Sequence, residues 1–183
     1  MSSNFKDKFL VASSLAGDER AFAELYEKYV DNIFRYIFFR VRGMETAQDL
    51  TSDVFLKVWQ YIGKPGREIE NFRSLLYRIA RNLVIDHYRS QGREMLVLED
   101  EQWSKFVDKR VNLEEDIIIK DDIRLITDTL KKLPDEQKDL LAMKFLDDLS
   151  IAEIALVLDK KPGTVRVAMH RALKELKEIL KQN

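Results

Sequence analysis

Arg166, Val167, His170 and Arg171 recur at the three- and four-residue spacing of one helical face, with Lys174 a turn further on. Such a set can read duplex DNA in the major groove. Guanidinium forks pair with the guanine edge, an imidazole donates or accepts a bond, and a valine methyl meets the methyl of thymine. Lys161 and Thr164 precede this face, where free N–H groups at a helix start suit phosphate. Between residues 160 and 181 seven Lys or Arg oppose two Glu, a local excess of five positive charges. An amphipathic hairpin with a solvated charged face has the same outline, but the charge excess and the donor-rich Gly163-Thr164-Val165-Arg166 turn favour DNA contact.

Two helices must hold that face. Ser150 can cap the first, with Glu153 three residues on to close a capping box, and Ile151, Ile154, Ala155 and Leu158 share its inner side. Lys161-Pro162-Gly163 breaks the run. The second helix starts at 163 or 164 and buries Val165, Met169, Leu173, Leu176 and Leu180, which makes residues 149–180 a helix-turn-helix.

A second set interleaves basic and aromatic groups. Arg73, Tyr77 and Arg81 line one face of a helix over 71–89, and Arg78, Asn82, His87, Tyr88 and Arg89 extend it. Arginines can follow a backbone, rings can stack on exposed bases, and Asn82 carries both a donor and an acceptor for a base edge. The residues alone do not separate this from a solvated basic helix. A third set lies on a helix over 46–61, where Asp49, Ser52, Asp53 and Lys57 face out and Phe55 and Trp59 stand at i, i+4. It is either a partner-docking surface with an aromatic anchor or a surface helix with one aromatic pair on the core.

Composition narrows the classes. The chain has 183 residues, enough for one medium or two small domains, with 45% hydrophobic residues to build a core. Glycine and proline are scarce, at 6 and 3, and no stretch alternates β-branched residues, so the fold is expected to be almost all helix. Neither a membrane span nor a signal sequence is legible, which points to a cytoplasmic protein. With no cysteine and only His87 and His170, no metal site is expected. No cofactor cradle or nucleophile–base pair is present, and Asp147-Asp148 and Glu114-Glu115-Asp116 read as solvated charge, so no catalytic residue is assigned. The net charge of −1 hides a pattern. Residues 64–93 carry an excess of four positive charges, residues 94–122 an excess of six negative ones. Two basic modules flanking an acidic strip suggest two nucleic-acid-facing surfaces.

Along the chain, residues 4–15 form a short helical lead-in, stopped by Gly17, and Asp18 caps a helix over 19–41. Phe22, Leu25, Tyr26, Tyr29, Ile33, Phe34, Ile37 and Phe38 give that helix a broad apolar stripe. A Gly/Pro loop over 62–68 precedes the helix over 71–89, on which Phe72, Leu75, Leu76, Ile79 and Leu83 face inward. An acidic linker then covers 94–112. Ile123, Ile126 and Leu130 open a helix in a second module of about 70 residues, small for an independent core. Leu133-Pro134-Asp135-Glu136 starts another, whose Leu140, Leu141, Met143 and Phe145 pack on the helix-turn-helix.

The order Gly-Asp-Glu-Arg-Ala-Phe (17–22), Asp-Leu-Thr-Ser-Asp-Val-Phe-Leu-Lys-Val-Trp (49–59), Phe-Arg-Ser-Leu-Leu-Tyr-Arg-Ile-Ala-Arg-Asn (72–82), Leu-Pro-Asp-Glu-Gln (133–137) and Ser-Ile-Ala-Glu-Ile-Ala with Gly-Thr-Val-Arg (150–166) resembles the extracytoplasmic-function (ECF) sigma factors of bacteria. Five motifs in the right order, between about residues 9 and 180, carry the resemblance. It implies an all-α initiation factor, not an enzyme, built of a first domain (1–93), an acidic linker (94–112) and a second domain (113–183). Its partners would be core RNA polymerase and promoter DNA, both duplex and melted, with an anti-sigma protein left open. The helix holding Asp49, Ser52, Asp53, Phe55, Lys57 and Trp59 would dock on the clamp helices of the largest polymerase subunit. The set from Arg73 to Arg89 would capture the melted −10 element. A loop opened by a helix break after Asn82 would hold one flipped base there. The set from Lys161 to Lys174 would read the duplex −35 element. A stand-alone helix-turn-helix regulator is the competing class; it needs neither the linker nor the 46–61 helix.

Overall fold

The structure is a computed structural model, and it describes residues 3–64, 66–92 and 132–182. The linker over 94–112 and the helix expected to begin with Ile123 lie outside the described residues. Among the described residues all regular elements are helices: α1 (Ser3–Leu15), α2 (Glu19–Phe38), α3 (Met44–Ile62), α4 (Phe72–Ser90), α5 (Asp135–Phe145), α6 (Ile151–Leu158) and α7 (Pro162–Gln182).

Local chemistry sets most of their ends. The Asp18 carboxylate accepts from the backbone N–H groups of Arg20 and Ala21 and starts α2. Asn71 does the same for α4 through Ser74 N–H, at 2.8 Å. Gly43, at φ +93°, makes the reversal into α3 that a side chain would resist. At α6 the capping box is complete, with Ser150 Oγ accepting from Glu153 N–H and Glu153 accepting from Ser150 N–H. α6 ends on Asp159 in the left-handed region, and Pro162 opens α7 at a first-turn position where no N–H is needed.

Two ends differ from expectation. α2 stops at Phe38 rather than about residue 41, because Arg40 turns into the interior and donates to the carbonyl of Tyr36 at 2.8 Å. α4 runs unbroken through Asn82 to Ser90, so the helix break implied after Asn82 is absent. Its sequence explains this: neither Gly nor Pro interrupts residues 72–90.

One buried cluster extends from Leu10 on α1 to Ala172 on α7. α1, α2 and α3 pack around α4, α5 and α6 pack against α7, and α4 also lies against α6. Because α4 is covered from two sides, its buried arc is wider than one stripe. Tyr77, Ala80, Val84 and Tyr88 join Phe72, Leu75 and Leu76 inside, while Ile79 and Leu83 are only partly covered. Phe145, expected to pack on the helix-turn-helix, is instead exposed.

Candidate nucleic-acid and polymerase interfaces

α7 presents its inner and outer faces much as its period dictates. Val165, Met169 and Ala172 are buried against α5 and α6, while Leu173 and Leu180, placed inside by the sequence, lie at the surface. Opposite them Lys161, Thr164, Arg166, Val167, His170, Arg171 and Lys174 are all exposed. Gln137 donates to Glu175 at 2.7 Å and ties α5 to the middle of α7. The outer face therefore protrudes from a fixed support, with two guanidinium groups and one imidazole directed to solvent.

The α4 set is divided. Arg78, Asn82 and Arg89 are exposed, and His87, half-buried, contacts Gln91 at 3.1 Å. Tyr77 and Tyr88 are core residues: Tyr77 packs edge-on against Tyr36 at 5.1 Å, and its hydroxyl is pushed above its ordinary value by burial. Neither ring offers a face to a base in this arrangement. Arg73 and Arg81 are spent on the other half of the chain. Arg73 donates to the carbonyls of Asp147 and Asp148 and lies 3.8 Å from Glu153. Arg81 donates to Asp139 at 3.2 Å.

Those contacts belong to a buried ionic cluster that sequence reasoning missed. Asp139 also accepts from Arg40 Nε at 3.0 Å, and the Arg40 guanidinium stacks 3.6 Å from the centre of the Tyr36 ring. Asp147, read from the sequence as solvated, is buried 3.9 Å from Arg40, while Asp148 is exposed. Burial opposes the Arg40 charge, but Tyr36, Asp139 and Asp147 outweigh it and hold its pKa above the ordinary value. Arg40, set directly between apolar residues at the end of a stripe, was the available signal; Asp139 and Asp147 carried none.

Asp147 gives this cluster a pH dependence. Burial pushes its carboxyl up to about 7 from 3.8, against the pull of Arg40 and Arg35 and with help from Asp139. The folded chain thus binds this proton more tightly than the unfolded one. The associated stability is complete below the unfolded value and is lost as pH rises through the folded one, between about pH 4 and about pH 7. We expect Asp147→Asn, which keeps the neutral shape, to flatten the fall in melting temperature across that window relative to the unsubstituted chain. Parallel curves for the two proteins would remove the assignment.

On α3, Asp49, Ser52, Asp53, Leu56, Lys57 and Gln60 are exposed. Trp59 is 37% exposed, with its inner edge against Phe22 at 4.8 Å. Phe55, the other half of the candidate anchor, is buried edge-on against Tyr26 at 4.7 Å. The face is therefore a polar patch centred on one half-covered indole, with Phe55 supporting it from within. Among the described residues no group of His, Asp or Glu could hold a metal ion, and no helix is long and apolar enough to cross a membrane.

Residues 25–94 match the family model of sigma-70 region 2, and residues 123–176 match that of sigma-70 region 4. The chain is 34% identical over 171 residues to the ECF RNA polymerase sigma factor BldN of Streptomyces coelicolor, covering 93% of this chain and 64% of that protein. It is 28% identical to SigW of Bacillus subtilis, covering 90% of this chain and 91% of that one. It is 30% identical to SigD of Mycobacterium tuberculosis, covering 92% and 81%. The fold is similar to that of CnrH in its complex with the cytosolic domain of CnrY, with a TM-score of 0.66 at 21% identity over 97% of this chain and 99% of that one. The sigma factor RpoE of Bartonella quintana, solved with the anti-sigma factor NepR, gives a TM-score of 0.59 at 19% identity over 87% and 96%. On these matches the chain belongs to the ECF sigma factors, which direct core RNA polymerase to promoters.

Proposed function

We propose that three surfaces of this chain divide the work of promoter initiation, with residues 1–93 and 113–183 as its two domains and 94–112 as the connection. The outer face of α7 reads the duplex −35 element: Arg166, Val167, His170 and Arg171 reach base edges, and Lys161, Thr164 and Lys174 meet phosphates. Asn82 reads a base of the melted −10 element, with Arg78, His87 and Arg89 beside it on α4. The polar patch of α3 around Trp59 docks on the polymerase clamp helices. The chain carries out no reaction of its own and works in the cytoplasm beside the polymerase. An anti-sigma protein is a further partner in this reading, as NepR is for the Bartonella RpoE.

The observation that supports it best is the open outer face of α7: every residue expected there to touch DNA is exposed, while Val165, Met169 and Ala172 anchor the helix from behind. Two substitutions test it with purified core polymerase on a promoter library. Arg166→Ala should cost roughly 1–3 kcal/mol of upstream binding if its contact is bidentate to guanine, and should relax the preference at one position. Asn82→Ala should leave core binding and the upstream footprint nearly unchanged while permanganate reactivity of the downstream element falls. Unaltered sequence preference in the first variant removes the groove assignment. Normal melting with unchanged base preference in the second returns α4 to a solvated basic face.

A further inference from the structure

The two most exposed large apolar side chains among the described residues stand together on α1. Phe5 is 69% exposed and Phe9 67%. They lie four residues apart and so on one face, about 6 Å from each other along the axis. They are not spare core: α1 already seats Leu10 and Val11 against α2, and helical spacing turns the two rings away from that contact. Adjacent rings make a small patch, unlike apolar residues scattered singly over a surface.

Charge narrows what fits there. Lys6 and Lys8 alternate with the rings, and the one acid of α1, Asp7, turns inward to accept from Lys28 and Tyr29. Lys6 lies 3.2 Å from Glu24 with both side chains more than half exposed, a contact worth little in water. Lys8 is exposed and neighbours Phe5 and Ala12 at helical spacing. Beside it a cleft of about 1220 Å³ opens between α1 and residues 67–73. Its exposed charges, Lys8 and Arg67 against Glu68 and Glu70, balance, so the cleft supplies room rather than attraction.

A second copy of the chain would bury two rings a side, well short of the roughly 1,200 Å² that a stable interface buries. A bilayer takes a broad apolar face, and the other apolar side of α1 is spent on α2. Single-stranded nucleic acid uses everything on this face: bases stack on the rings and cations follow the phosphates. We propose that Phe5 and Phe9 form a stacking platform for two bases of the melted promoter, with Lys8 on an adjoining phosphate. The inference rests on the promoter reading above. The contact is sequence-tolerant, because every base offers a face, and so differs from the base reading assigned to Asn82.

The test uses the full chain assembled with core polymerase and a fluorescent promoter probe pre-melted at the −10 element. Abasic sites are walked one at a time through both open strands. In the parent, two neighbouring abasic positions distinct from the base read by Asn82 should weaken binding. Phe5→Leu with Phe9→Leu keeps the apolar bulk and the helix propensity but removes both rings. It should bind the intact probe about thirty-fold more weakly, and abasic sites at those two positions should cost it nothing further. Phe5→Tyr with Phe9→Tyr should bind like the parent. Lys8→Ala should flatten the salt slope by about 0.7. A leucine variant that binds the intact probe like the parent overturns the platform. So does one that keeps the parental abasic penalties, or that assembles poorly with core polymerase, since the rings would then serve folding or a protein contact. If the platform fails while one abasic site still acts through Asn82, the promoter reading stands; a parent indifferent to every abasic site removes both.

Discussion

Asp139→Ala should destabilise the closed fold by up to about 3–5 kcal/mol, the cost of leaving a buried charge without its partner. Arg40 is the group left stranded: it lies inside, its Nε bonds Asp139 at 3.0 Å, and its only other near carboxylate among the described residues, Asp147, is 3.9 Å away. The loss has a ceiling. Once parting the two halves costs less than keeping Arg40 dry, the protein opens and water solvates the guanidinium. A double-mutant cycle separates these contributions. Arg40→Met combined with Asp139→Leu removes both charges at similar volume and should recover most or all of the stability lost by either alone. Urea midpoints read the result, and a double variant as unstable as the sum of the singles would show that the pair is not coupled.

Trp59→Ala with Asp53→Ala should weaken binding to core polymerase by between about thirty-fold and about a thousand-fold, since truncating an interface anchor costs about 2 kcal/mol or more. The two side chains differ usefully. Asp53 is exposed, so its loss tests the interface with little effect on folding. Trp59 rests on Phe22, so its truncation also thins the contact between α2 and α3. Helical content by circular dichroism and the Asp53→Ala single variant keep the effects apart. Co-purification with core enzyme at parental levels in the folded double variant would exclude this face. Phe55→Ala belongs to a different experiment: that ring is buried, and the variant should report on folding rather than docking.

The sequence by itself determined the all-helical class, most helix starts and the outer face of α7. These rest on interactions that reach three or four residues. Asp18 meets N–H groups two and three positions on, Ser150 and Glu153 bond each other across three, and the period that hides Val165 and Met169 also exposes Arg166 and His170. The same locality predicted α4 as one continuous helix, and the structure keeps it so.

Only the tertiary structure decided what lies inside. Whether Tyr77 and Tyr88 are rings for bases or parts of the core depends on which helices land on α4, and both are buried because α2, α3 and α6 all pack against it. Whether Asp139 and Asp147 are solvated depends on Arg40, 99 residues before Asp139. A charged side chain looks the same in sequence at the surface and in the interior; its solvation is set by the distant surface that closes over it. The packing of α4 against the second half of the chain placed Arg73 and Arg81 opposite acidic partners that no local pattern names.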